Sequence, residues 1–140
     1  MIDRERAREE ALVLEANQEF YRAFSRGDFA AMSELWAKAA SVACLHPGAR
    51  LLCGRHAVLS SFRELLAAAP AWKMVSRDAR VHWLGQCAFV TCLEANGEQP
   101  AHLAATNIFV LEDGRWRMVH HHAGPLSVPE PRRPPSALVN

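Results

Sequence analysis

The chain has four cysteines, Cys44, Cys53, Cys87 and Cys92, but no C-x-x-C spacing among them, and all four lie in apolar surroundings. That argues against a zinc site built on cysteine and suits small side chains in a reducing compartment. No apolar run approaches the ~20 residues needed to span a bilayer. The start, Met1 to Glu10, is charged and has no apolar h-region, so no secretory leader is expected and the chain is read as cytoplasmic. An excess of one charge is also missing. The formal net charge is +1, and arginine, though far commoner than lysine, is scattered. Neither nucleic acid nor a membrane is therefore expected as a partner.

What is present suits a soluble globular protein. A chain of 140 residues, half of them apolar and 22% charged, fits one domain with a real core. Leu12, Ala16, Phe20 and Phe24 recur every four residues, with Val13 and Tyr21 widening the stripe, which predicts a helix stopped by Gly27. Asp28 is a good N-cap for a second, short helix with Met32, Leu35 and Trp36 on one face. Ser41 to His46 reads as a buried strand ended by Pro47-Gly48. A third helix fits Arg55 to Ala69, stopped by Pro70. From residue 72 the period changes to two, and strands are predicted over Trp72–Leu84, Cys87–Glu94, His102–Leu111 and Trp116–Ala123. Asn96-Gly97 and Asp113-Gly114 between them are hairpin signals. Helices followed by an antiparallel meander make an α+β domain over residues 1–127. The tail over 128–140 opens with four prolines in eight residues (Val128 to Pro135) and is expected to be extended or disordered.

The last predicted strand carries three consecutive histidines, His120, His121 and His122. Strict alternation puts His120 and His122 on one face with Trp116 and Met118, and turns His121 away. Imidazole is the side chain best suited to proton transfer near neutral pH and a common metal ligand. On the preceding strand, Leu103, Ala105, Asn107 and Phe109 share a face, an apolar wall with one amide in it. An amide both donates and accepts, which suits orienting a carbonyl or hydroxyl.

The order helix, Gly-Asp, short helix, strand ending in His46-Pro47-Gly48, Gly54-Arg55 helix and four strands resembles the nuclear-transport-factor-2-like superfamily over residues 8–127. The resemblance implies a cystatin-like cone: a strongly curved, mainly antiparallel sheet packed with three N-terminal helices around one deep pocket. That superfamily includes ketosteroid isomerases, SnoaL-like polyketide cyclases, dehydratases and non-catalytic association domains, so it implies a fold more than a reaction. In the isomerases a catalytic Asp precedes a proline at the end of the first strand, and His46 before Pro47 stands there. Their first-helix tyrosine matches Phe20, which cannot donate, so steroid isomerisation of the usual kind is not expected. The run Gly114-Arg115-Trp116 to Val119-His120-His121-His122 is similar to the end of the calcium/calmodulin-dependent kinase II association domain. The Thr-Arg pair of that domain is replaced by Thr106-Asn107, which removes a charge suited to small carboxylates.

Two functions follow as expectations. One is an enzyme of isomerase, cyclase or dehydratase type on a small apolar molecule bearing a carbonyl or hydroxyl. His46 and His122 would be its acid/base residues, with Asn107, His120, Trp36, Tyr21 and Phe109 binding the ligand. The other is a non-catalytic ligand-binding or association module. A homodimer is expected in either case, because apolar residues occupy both faces of the sheet, Phe89, Leu93, Ile108 and Val110 opposing Val90, Leu103, Asn107 and Phe109. His120, His122 and His46 could supply zinc ligands, but no Asp or Glu stands beside them, so no metal or other cofactor is expected. Glu94 and Glu112 read as solvated residues near hairpin ends.

Overall fold

In the computed structural model residues 2–68 and 73–131 are described, and within them three helices pack on one six-stranded sheet. The first helix, α1 (Ile2–Arg26), buries Val13, Phe20, Tyr21 and Ala23, while Leu12 is 45% exposed. The buried stripe is thus centred one residue later than the Leu12 pattern predicts, and it takes in Asn17, an amide only 1% exposed. Gly27 ends the helix at φ +67°, a left-handed conformation that disfavours side chains with a Cβ. Asp28 then caps α2 (Phe29–Leu35), its Oδ1 accepting the Ala31 amide at 3.0 Å.

The strand predicted over 41–46 is the short β1 (Ala43–Leu45), and β2 (Leu52–Cys53) pairs with it antiparallel. The sequence gives no sign of β2, since two residues are too few to show a period. The third helix, α3 (Arg55–Ala67), buries Val58, Phe62 and Leu66; its predicted end at Ala69 and Pro70 lies outside the described residues, as does Trp72. The meander is β3 (Met74–Leu84), β4 (Cys87–Asn96), β5 (Leu103–Glu112) and β6 (Arg115–Pro125). The sheet order is β2-β1-β6-β5-β4-β3, antiparallel except where β1 runs parallel to β6, with Cys44 opposite His121. Asp113 and Gly114 both have positive φ, as a tight two-residue hairpin turn requires.

Two bulges shape the sheet. In β3 the register shifts between Arg77 and Arg80, around Asp78 at φ 54°. In β6, Ile108 faces His120 and Phe109 faces Met118, which leaves Val119 as the extra residue. A bulge bends its strand, and one inserted residue reverses the facing of everything beyond it. The core lies between the helices and the inner face, with Trp36, Phe62, Val90, Phe109 and Met118 fully shielded.

The C-terminal segment, expected to be extended or disordered, runs back onto the domain as far as it is described. Leu126 N donates to His102 O, Glu130 N donates to Ala101 O at 2.9 Å, and the Glu130 carboxylate takes Arg77 Nη2 at 2.9 Å. Arg132 and the residues after it lie outside the described residues. None of the described helices is long and apolar enough to cross a membrane.

Candidate active site

Asn17 and Tyr21 are one turn apart on α1 and so share a face. Opposite them, alternation on β4 and β5 points Cys92, Glu94 and Asn107 inward. The Val119 bulge adds His121 from β6. Asn107, His121 and Glu94 are each no more than 4% exposed. Burial at that depth requires partners, and these residues satisfy one another.

The bonds form one connected network. Asn107 Nδ2 donates to Asn17 Oδ1 at 2.8 Å and to Tyr21 OH at 3.1 Å. Tyr21 OH donates to Glu94 Oε2 at 2.7 Å. With both amide hydrogens of Asn107 engaged, its Oδ1 is left to accept, and His121 Nδ1 lies 2.6 Å from it. The His121 proton therefore sits on Nδ1, and Nε2 carries a lone pair. That Nε2 is 3.9 Å from Glu94 Oε2. Neither His121 Nε2 nor Glu94 Oε1 has a hydrogen-bond partner among the described residues.

Both residues line a cavity of about 280 Å³, otherwise walled by Phe20, Phe24, Pro47, Phe62, Leu65, Met74, Leu103 and His46. Burial in these surroundings penalises charge. It pushes His121 down to about 3, helped by the nearby His46, His120 and His122. Burial also raises Glu94, against the opposing bond from Tyr21. Tyr21 rises well above the phenol value for the same reason, with Glu94 and Cys92 adding to it. The geometry alone would allow an ion pair between His121 and Glu94. Both desolvation shifts oppose one, since burial disfavours the charged form of each partner.

The expected site residues divide between inside and outside. Tyr21 and Asn107 belong to the internal network. His46 lines the cavity, its ring 6.2 Å from that of His121, with Nε2 2.6 Å from Ser61 Oγ; burial lowers its pKa. Trp36 and Phe109 are fully buried packing residues and do not line the cavity. His122 and His120 are corrected: both lie on the outer face. His122 is exposed on a groove with Thr91 and Thr106, and half-buried His120 holds Ala43 O through Nδ1 at 3.0 Å. Trp116 and Met118 stay inside, but the bulge at Val119 reverses the parity after them, so His121 is the inward histidine. Glu94 and Glu112 are corrected as well. Glu94 is the cavity's buried acid, and Glu112 accepts the backbone amides of Lys38, Ala39 and Ala40, which lowers its pKa. Asn17 was missed entirely. Its one signal is a polar residue four positions before Tyr21 inside an apolar stripe. Among the described residues no group of three or more His, Cys, Asp or Glu is placed to hold a metal ion.

A curved sheet closed by three helices over one polar-based cavity defines the NTF2-like, cystatin-like fold. The SnoaL-like domain family model matches residues 13–129, and the chain belongs to that family. It is similar to a candidate dehydratase of the NTF2-like family from Streptomyces avermitilis, at 32% identity and TM-score 0.75 over 84% of this chain and 96% of that one. A candidate calcium/calmodulin-dependent protein kinase type II association domain from Thiobacillus denitrificans is also 32% identical, with TM-score 0.69 over 80% of this chain and 93% of that one. A cystatin-like fold protein from Burkholderia xenovorans shares the fold at 22% identity and TM-score 0.68, over 85% of this chain and 92% of that one. Among curated proteins, F-box protein SKIP8 of Arabidopsis thaliana is 27% identical over 111 residues, 79% of this chain; the chain spans 48% of that protein's length.

Proposed function

We propose that the protein is a small acid–base enzyme of dehydratase or isomerase type acting on an uncharged, largely apolar molecule with a hydroxyl or carbonyl. One observation carries this reading: His121 Nε2 and Glu94 Oε1, both unbonded, stand together in a cavity whose other walls are mostly hydrocarbon. Tyr21 occupies Glu94 Oε2, so a proton on this carboxyl sits on Oε1, the oxygen without a partner. In a dehydration, His121 Nε2 removes a proton from the carbon beside a carbonyl. The electrons of that C–H bond form the new C=C bond. The β-hydroxyl leaves as water with the proton of Glu94, and transfer from His121 back to Glu94 restores the site. In an isomerisation the same pair returns the proton to a different carbon. His46, at the match to the isomerases' base, remains beside the cavity as a second imidazole.

The similarity to a candidate dehydratase supports the choice of reaction. Cyclisation uses the same acid–base pair. The described cysteines are all free, which suits the reducing cytoplasm in which we place the protein. The test is turnover of a panel of small β-hydroxy aryl ketones, read as growth of enone absorbance. H121Q and E94Q are expected to lose turnover by roughly two to four orders of magnitude while remaining folded. Variants that turn over as the wild type does would overturn the reading.

A second reading has its own observation. Phe89, Leu93 and Ile108 are only half-buried on the outer face, beside the groove at Thr91, Thr106 and His122. That face suits a second copy of the chain, and the similarity to a candidate association domain supports an assembly role. A homodimer is compatible with both readings.

A further inference from the structure

Glu94 borders two spaces. Besides the apolar cavity, a recess of about 260 Å³ opens at the β4–β5 connection, lined by Asn96, Gln99 and His102. Glu94, Met74 and Leu103 line both. Both surfaces are mostly hydrocarbon, and the recess adds the polar side chains of Asn96, Gln99 and His102, with the acid bordering both.

The backbone of the recess is firmly held. Arg77 Nη1 donates to Gly97 O at 2.8 Å, and its Nη2 donates to Gln99 O. Arg77 also pairs with Glu130, with both side chains largely buried, at 11% and 14% exposure. Glu130 Oε1 in turn accepts the Ala101 amide at 3.1 Å, and Gly97 N donates to Lys73 O at 2.8 Å. In contrast, the side chains of Gln99 and His102 are exposed and make no hydrogen bond among the described residues. The backbone of the loop is already fixed, so only these side chains remain to be ordered when a ligand binds. Neither lysine nor arginine lines either space, so nothing there matches a carboxylate or phosphate.

We infer that the substrate is bipartite: an apolar ring fills the inner cavity, the reacting carbonyl or hydroxyl lies at Glu94, and a short uncharged polar arm reaches Gln99 and His102. This rests on the acid–base reading for the position of the reacting group. It adds the arm, its neutrality and the residues that select it. Gln99 can both donate to and accept from an amide or hydroxyl, whereas the inner cavity offers such a group only Glu94, His121 and His46.

The experiment measures binding alone, so it is separate from turnover. Calorimetry compares acetophenone, 4-oxo-4-phenylbutanamide and 4-oxo-4-phenylbutanoate. The amide is expected to bind about tenfold more tightly than acetophenone, as one or two net hydrogen bonds allow. The carboxylate should bind no more tightly than acetophenone. Gln99→Ala, an exposed substitution, should abolish most of the amide's advantage and leave acetophenone unchanged, with His102→Ala acting in the same direction. An amide that binds no more tightly than acetophenone, whether or not acetophenone binds, overturns the bipartite site. Equal weakening of both ligands by Gln99→Ala does the same. Loss of turnover in H121Q and E94Q would leave the acid–base reading standing in either event.

Discussion

His121 Nε2 and Glu94 Oε2 lie 3.9 Å apart, too far for a good hydrogen bond and close enough that neither group changes charge independently of the other. Tyr21 bonds Glu94 and Asn107 bonds His121, so each member of the pair is held without bonding to the other. Such an arrangement leaves His121 Nε2 and Glu94 Oε1 without partners among the described residues, on the wall of the cavity.

The pair gives stability two opposing pH dependences. His121 has a folded pKa of about 3, below its ordinary 6.5, so the unfolded chain takes up the proton first. Its contribution is intact above pH 6.5 and is lost as pH falls toward 3. Glu94 is raised above 4.5, so its contribution is full below that value and declines as pH rises through the raised one. Between pH 7 and pH 4 the wild type should lose on the order of 10 °C more in Tm than H121Q. E94Q should melt above the wild type at pH 8 and no higher at pH 4. Circular dichroism melts across that range check both; parallel curves for the wild type and H121Q would mean that His121 is not buried neutral.

Asn107→Asp should move the His121 titration upward. A carboxylate accepting from Nδ1 favours the imidazolium, so the pKa rises from about 3 toward neutrality. The variant also loses the amide that donates to Asn17 and Tyr21, at a cost of about 1–3 kcal/mol for each group left unsatisfied. Nitrogen chemical shifts of the His121 ring across pH report the tautomer and the titration together. An unchanged titration would detach Asn107 from His121.

Charge on the outer face should separate protomers without touching the cavity. Ile108→Glu is expected to convert a dimer near twice 15.6 kDa to a monomer by light scattering, with turnover retained if the cavity acts within one chain. A wild-type monomer at micromolar concentration would remove the homodimer.

Truncation should depend on where it falls. Removing residues 130–140 deletes Glu130, the partner of Arg77 and of the Ala101 amide, and leaves a largely buried guanidinium with less compensation. A fall of several degrees in Tm is expected, and Glu130→Gln should reproduce part of it. Equal melting of the full and shortened chains would show that this contact contributes nothing.

Much of the architecture was legible because it rests on local rules. Helix periodicity, the Asp28 cap, the Gly27 stop and the Asp113-Gly114 turn each depend on residues within a few positions of one another. The shared face of Leu103, Ala105, Asn107 and Phe109 followed from simple alternation along an uninterrupted strand, and its inward direction from the family resemblance. His46 was placed by its proline and its position at a strand end, and it does border the cavity. His120 and His122 were misplaced for one cause. Alternation fails at Val119, where the pairing of β6 with β5 inserts an extra residue.

Sequence alone determined the α+β order and a wall with one amide in it, since chain-local sterics and hydrophobic period encode both; the curved sheet was implied by the family resemblance. Tertiary structure decided which of three identical neighbours faces the cavity. His120, His121 and His122 differ only in parity, and parity past a bulge is set by the partner strand. It also decided the role of Glu94. On its own strand that residue looks like a solvated hairpin end, and only the hydroxyl of Tyr21, 73 positions away, and the phenylalanines around the cavity make it a buried acid. Contacts of that range have no local signature, because they exist only once the sheet has curved over the helices.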